Sequence, residues 1–209
     1  MSRELMRTIV KRSIDISLSS LVLLLLGPLL ALAAAAVWIE SGSPVLFRQE
    51  RVGKNFVTFR ILKFRTMRVR SAGSSVTIRG DIRITRVGRI LRSTKLDELP
   101  QFWNVLKGQM SVVGPRPEVP EDVQLFKERY ESILTVCPGI TDLASIHYRH
   151  EEEILAKSGN PLREYRERIL PTKLDLADKY LRERTVLRDL EIIARTAVVT
   201  FWSTTSTRK

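Results

Sequence analysis

The chain has 209 residues, 44% of them hydrophobic and 28% charged, with a formal net charge of +12 at pH 7. That length suits one folded domain with at most a short appendage, and the composition excludes a disordered polymer. A single cysteine, Cys137, excludes an internal disulfide framework and reads as an inert thiol in a reducing compartment. The positive balance points to polyanionic partners: nucleic acid, anionic lipid or phosphorylated substrates.

In chain order, the first feature is an uncharged run of 24 residues, Ile16 to Ile39, with Gly27-Pro28 at its middle. A helix of that length spans the ~30 Å apolar core of a bilayer at 1.5 Å per residue. Proline removes a backbone donor and clashes with the preceding turn, so the helix is expected to bend or break at Pro28. Basic residues flank both ends, Arg3, Arg7, Lys11 and Arg12 before it and Arg48, Arg51 and Lys54 after it. Positive residues favour the cytoplasmic side, so a re-entrant hairpin that enters and leaves by one face satisfies both flanks. Ser19 and Ser20 are candidates to cap carbonyls freed at the break. A single kinked span remains open from composition, as does a cleaved signal peptide with Ala31-Leu32-Ala33 as its small-residue site. The boundary with the rest falls near Ser41-Gly42-Ser43-Pro44, which divides the chain into a membrane segment, 1–43, and a globular part, 44–209.

Val45–Glu50 and Phe56–Phe64 read as a β-hairpin turning at Gly53. Residues 71–80, rich in Ser and Gly, read as a loop. Ile84 to Ser93 reads as a helix with Arg83, Arg86, Arg89 and Arg92 as a slanting basic stripe. Such a helix suits either an anionic membrane surface or a solvated face. Another helix is expected from Glu98 to Lys107, with Pro100 in its first turn and Gly108 at its stop. Further helices are expected at Glu121–Thr135, Glu151–Lys157, Pro161–Arg168, Pro171–Arg184 and Leu187–Phe201. In the last, Leu187, Leu190, Ala194, Ala197 and Phe201 form an apolar face for the core or the bilayer. The fold class is therefore α+β, mostly helical, with a small β-hairpin and amphipathic interfacial helices.

Charge is concentrated. Residues 48–95 hold fourteen Lys/Arg against Glu50 and Asp81, whereas residues 1–47 net +1 and residues 96–209 net −1. The basic block ends at an acidic dyad, Asp97-Glu98. A cationic basin beside two carboxylates suits an anion that must be held, approached by metal and attacked. The dyad also suits a purely structural role, since acids favour helix N-termini. His147, His150 and Glu151 have i, i+3, i+4 spacing, but near a loop they read as surface residues and not as a metal site.

Longer motifs occur in fixed order: Lys11-Arg12-Ser13-Ile14-Asp15, Pro44 to Gln49, Lys63-Phe64-Arg65-Thr66-Met67, Asp81 to Arg89, Leu96 to Gly108, Met110 to Pro117, and Pro138-Gly139-Ile140-Thr141. With the region from Leu174 to Thr196, they cover almost the whole chain. In this it resembles the bacterial sugar transferases, the monotopic phosphoglycosyl transferases acting on polyprenyl phosphate, in their minimal form without a large multi-span N-terminal region. The resemblance implies a re-entrant helix broken at Pro28, Mg²⁺ dependence, and transfer of a sugar-1-phosphate from a UDP-sugar to undecaprenyl phosphate. It implies Asp97 as nucleophile forming an aspartyl phosphosugar with UMP leaving, Glu98 as the second dyad residue, and Asp97 as a metal contact. It implies a lipid bilayer as partner, with the active site on the cytoplasmic face of the bacterial inner membrane. No nucleic-acid partner is expected, and a homodimer is compatible with the family.

Lys63, Arg65, Arg92 and Arg116 are the candidate phosphate-holding cations, Arg116 stiffened by Pro115 and Pro117. One departure stands out. After Pro138-Gly139-Ile140-Thr141 many relatives have Gly and, three residues on, Gln; this chain has Asp142-Leu143-Ala144-Ser145, so the usual hexose preferences are not carried over. Two other function classes compete: a membrane-anchored basic adaptor for nucleic acid or anionic lipid, and a UDP-sugar glycosyltransferase without a covalent intermediate.

Overall fold

The computed structural model describes residues 3–68 and 77–206. It opens with two helices, α1 (Arg3–Leu25) and α2 (Gly27–Ser41), bent by 63° at Leu26. The bend has a local cause. Pro28 sits in the first turn of α2 and has no N–H to give the carbonyl of Leu24. The ladder continues on either side, from Leu26 N to Val22 O at 2.9 Å and from Leu30 N to Leu26 O at 2.8 Å. Among the described residues no single helix is long and apolar enough to cross a membrane; the bent pair together has the length and composition to do so. The serines play no part in the break. Ser19 Oγ is buried without a hydrogen-bond partner and Ser20 is exposed, both more than a turn before Leu26.

Helix α1 starts well before the apolar run, and its polar half locks onto the globular part. Arg12 donates to the carbonyls of Val105 and Leu106, at 2.6 and 2.9 Å. Asp15 is buried and accepts from Ser111 Oγ and Val112 N. Lys11 pairs with Asp189 at 2.6 Å. The junction at residues 43 and 44 therefore divides the sequence, while packing runs across it.

Strands β1 (Leu46–Val52) and β2 (Thr58–Phe64) form the expected antiparallel hairpin, with Gln49 opposite Ile61. The reversal is a single 3₁₀ turn, Lys54–Phe56, in which Asn55 and Phe56 both take positive φ. Alternation turns Phe59 and Ile61 into the core. Of the expected loop, residues 71–76 lie outside the described residues; residues 77–80 are neither helix nor strand.

Helix α3 (Arg86–Ser93) is capped twice: Thr85 Oγ1 accepts from Gly88 N, and the Glu40 carboxylate accepts from the N–H groups of Arg86 and Val87. This fixes α3 to the end of α2. Gly88 is required, because a Cβ there would lie 2.2 Å from Thr66 O. Arg86, Arg89 and Ile90 are exposed, while Leu91 is buried.

The next helix differs from expectation. Leu96–Glu98 forms a 3₁₀ turn, and α4 (Gln101–Leu106) starts only after Pro100. Asp97 and Glu98 thus precede the α-helix instead of opening it. A parallel pair, β3 (Ser111–Val113) and β4 (Gly139–Thr141), was not expected. It forms because Gly114 and Gly139 approach so closely that a Cβ on either would lie within 2.5 Å of opposing backbone.

The expected helix 121–135 is two, α5 (Pro120–Leu125) and α6 (Lys127–Ile133), interrupted at Phe126 with φ −127°. Next come α7 (Leu143–His147), α8 (Glu151–Ala156) and α9 (Pro161–Glu164), which runs through a π turn into α10 (Leu170–Glu183). The last helix is α11 (Val186–Ser206). Its core side is Ile192, with Ile193 and Thr196 half-buried; Leu187, Leu190, Ala194 and Ala197 face outward, and Phe201's side chain lies outside the described ones.

Three apolar clusters hold the parts together. Ile133, Leu155, Ile169 and Leu170 centre one; Ile61, Val105, Val113 and Ile192 centre the second. The third joins Ala33 and Val37 of α2 to Phe64 and Leu91. The third cluster fixes the bent helix pair against the segment carrying the acidic dyad.

Candidate active site

The dyad is held by a turn that no helix rule predicts. Lys95 takes the left-handed conformation, φ 59°, and turns the chain into the 3₁₀ turn. That conformation is disfavoured for a non-glycine residue, so its neighbours must hold it there. The two carboxylates then meet different surroundings.

Glu98 is engaged through one oxygen. Its Oε1 accepts from Lys63 Nζ at 2.7 Å and from Arg116 Nη2 at 3.1 Å. Burial alone opposes its ionisation, but Lys63 and Arg116 outweigh that and hold it well below the usual carboxylate range. The same contact raises the pKa of Arg116, whereas burial lowers that of Lys63 despite Glu98's charge. Lys63 lies on β2, and Arg116 on the loop after β3 between Pro115 and Pro117. The ion cluster therefore joins three separate parts of the fold.

Asp97 is 7% exposed, and its Oδ1 is buried with no hydrogen-bond partner. Burial, reinforced by the charge of Glu98, pushes its pKa up to about 6, against the pull of Lys63, Lys95 and Arg92. An acceptor so placed is open to a water, an ion or a substrate group. Magnesium keeps several waters and takes one or two protein carboxylates beside substrate phosphates. The orphaned Asp97 Oδ1 fits that need, whereas Glu98 Oε1 is already shared between Lys63 and Arg116. Among the described residues no cluster of three or more His, Cys, Asp or Glu could hold a metal.

The remaining candidates separate. Arg92 is on α3; its guanidinium contacts Thr66 Oγ1 at 3.4 Å and pairs with Glu152 of α8. Arg65 is buried and its Nη2 donates to Ser41 O, Ser41 Oγ and Gly42 O, closing the C-terminal end of α2. Its Nε and Nη1 are buried and unpartnered. Arg65 Nη2 thus ties the end of α2 to the segment that follows β2.

Two residues near the site had no assigned part. Asp142, at the departure from the family motif, accepts from Arg116 N at 3.2 Å and caps α7 through Ser145 N at 2.7 Å. Glu152 is the anion on Arg92. The sequence signal for Asp142 was its odd identity at that place; for Glu152 it was only membership of an acidic triplet. Glu151, read earlier beside the histidines, pairs instead with Lys173 at 2.6 Å, and His150 lies 3.4 Å from Glu153. Cys137 is half-buried, and burial raises its thiol pKa, which agrees with an inert role.

One carboxylate oxygen shared by two cations, beside a second carboxylate with a buried unpartnered oxygen, is an arrangement able to meet an anion or a cation brought to it. The family model for bacterial sugar transferases matches residues 6–203, so the chain belongs to that family of transferases. It is similar to the UDP-glucose:undecaprenyl-phosphate glucose-1-phosphate transferase of Caulobacter vibrioides, 40% identical over 191 residues, covering 89% of this chain and 67% of the relative. The Klebsiella pneumoniae protein of the same name is also 40% identical, over 88% of this chain and 38% of its own length. A UDP-N-acetylgalactosamine-undecaprenyl-phosphate N-acetylgalactosaminephosphotransferase of Aeromonas hydrophila is 42% identical over 66% of this chain and 34% of its own. The chain thus spans little more than a third of the length of the last two.

Proposed function

We propose that this protein transfers a sugar-1-phosphate from a UDP-sugar to undecaprenyl phosphate through a phosphosugar carried on Asp97, and so begins assembly of a surface glycan or glycoconjugate. The observation that carries the reading is the buried, unpartnered Oδ1 of Asp97 beside an ion-paired Glu98. The names of the relatives supply the substrate classes.

An Asp97 oxygen attacks the phosphorus that bears the sugar. A P–O bond forms to the carboxylate, and the bond to the bridging oxygen breaks. That oxygen leaves with its electron pair as part of UMP. A phosphate oxygen of undecaprenyl phosphate then attacks the same phosphorus and returns the electron pair to Asp97. Neither step consumes a proton, so Asp97 must enter ionised. At pH 7 a group with a pKa of about 6 is roughly nine-tenths ionised, and its reduced hydration favours attack.

Glu98 does not attack in this scheme. It fixes Lys63 and Arg116 at the edge of the site, where they offset the negative charge of the diphosphate. Arg92 and Thr66 supply further donors. Asp97 would hold a magnesium ion when one binds, and the ion would neutralise charge between the carboxylate and the donor phosphates.

The membrane part of the reading follows from the acceptor, a lipid whose phosphate lies at headgroup height. The bent α1–α2 pair enters the inner membrane from the cytoplasmic face and returns. Exposed Leu24, Leu25, Leu32, Trp38 and Ile39 meet lipid, and Arg86, Arg89 and Ile90 of α3 lie at the interface.

A panel of UDP-sugars with undecaprenyl phosphate in detergent, read by nucleotide product, tests the function. UMP with at least one donor is expected. UDP as the nucleotide product indicates direct glycosyl transfer and overturns the reading.

A further inference from the structure

Arg92 already carries an anion. Its Nη2 pairs with Glu152 Oε1, while Nη1 reaches only Thr66 Oγ1 at 3.4 Å. Arg92 lies on α3, which packs directly against the 3₁₀ turn that carries the dyad. A phosphate brought up to Asp97 therefore meets a guanidinium whose strongest contact is already with a carboxylate of the protein.

The backbone that carries Glu152 is anchored. Glu151, the preceding residue, pairs with the buried Lys173 at 2.6 Å. Lys173 Nζ lies 3.5 Å from Tyr165 Oη, and Tyr165 donates to the buried Glu118, two residues after Arg116. The carbonyl of Glu152 accepts from Arg79 N at 3.0 Å, and Leu155, one turn on, is fully buried. The Glu152 side chain itself is 43% exposed. A side-chain rotation into solvent is enough to free Arg92, and the helix stays where it is.

We infer that Glu152 is an internal counter-anion: its carboxylate holds the Arg92 guanidinium that a substrate phosphate takes, and so sets how tightly that phosphate binds. This rests on the proposed phosphate-holding role of Arg92. The expected strength is that of a partly exposed ion pair, worth roughly a twofold to fivefold change in affinity. The phosphate belongs either to the nucleotide donor or to the lipid acceptor, and both present the same oxygens to the guanidinium.

The test compares the full chain in detergent with its Glu152→Gln variant, using inorganic pyrophosphate as the probe in calorimetry. Glu152→Gln is expected to bind pyrophosphate about two to five times more tightly, with the advantage shrinking as salt rises. In an Arg92→Gln background the same change is expected to have no effect. Glu152→Asp, which keeps the charge but loses reach, is expected to fall between wild type and Glu152→Gln. Equal or weaker binding by Glu152→Gln overturns the inference, because a carboxylate that merely steadies Arg92 gives that sign. KM values measured separately for donor and acceptor assign the source: the one that falls names the phosphate, and a fall in neither overturns the inference. If no UDP-sugar turns over while the pyrophosphate results hold, the proposed reaction fails and the counter-anion stands.

Discussion

Adjacent carboxylates in one turn are expected to respond oppositely to loss of charge. In the fold Asp97 has a pKa of about 6 against an ordinary 3.8, so the native state disfavours its charged form. Between those values the folded protein binds more protons than the unfolded chain, and stability falls as pH rises. Above about pH 6 the full penalty is present; below 3.8 it is gone. The difference of the two pKa values corresponds to about 3 kcal/mol as an upper figure. Asp97→Asn mimics the neutral form and removes the penalty. For a chain of this length 1 kcal/mol moves Tm by about 2–4 °C, so a rise of up to about 10 °C is expected at pH 8. The assay is thermal unfolding in detergent at a series of pH values. The gain is expected to shrink towards zero as pH approaches 4. An Asn variant no more stable than wild type at pH 8, or a gain independent of pH, would refute the claim that burial raises Asp97.

Other outcomes follow from the same geometry. Glu98→Gln leaves Lys63 and Arg116 without their shared anion and is expected to destabilise the protein by about 3 kcal/mol in denaturant unfolding. The acid limb of the kcat/KM profile is expected near pH 6 for wild type, set by ionisation of Asp97. In any Glu98→Gln that retains turnover the limb moves lower, because one cause of the raised pKa is gone. Asp142→Ala removes a helix cap and the acceptor for Arg116 N; about 1 kcal/mol of stability is expected to go, with a raised donor KM in steady-state kinetics.

What the sequence revealed depended on how local each cause was. The bend at Pro28 and the β1–β2 hairpin follow from a missing N–H and an alternating pattern, and both appear within two residues of expectation. The parallel pairing of Ser111–Val113 with Gly139–Thr141 was hidden. Its strands are three residues long, with one fully buried and the other nearly so, and they leave no alternation to read. The interruption at Phe126 has no proline or glycine to announce it.

The dyad itself was legible as two acids behind a basic block. That Glu98 Oε1 takes both Lys63 and Arg116 while Asp97 keeps a free oxygen depends on β2, the 3₁₀ turn and the loop after β3 converging. Sequence spacing cannot give that convergence. Arg65 shows a divided case: its Nη2 is set on the end of α2, while its Nε and Nη1 stay buried without a partner.

The most direct measurement is intact-protein mass spectrometry of the enzyme mixed with donor and magnesium, with no lipid acceptor. A mass increase of one phosphosugar is expected, mapped by peptide analysis to Asp97, accompanied by UMP and absent from Asp97→Asn. An unmodified protein under conditions where acceptor-dependent transfer proceeds would contradict the account.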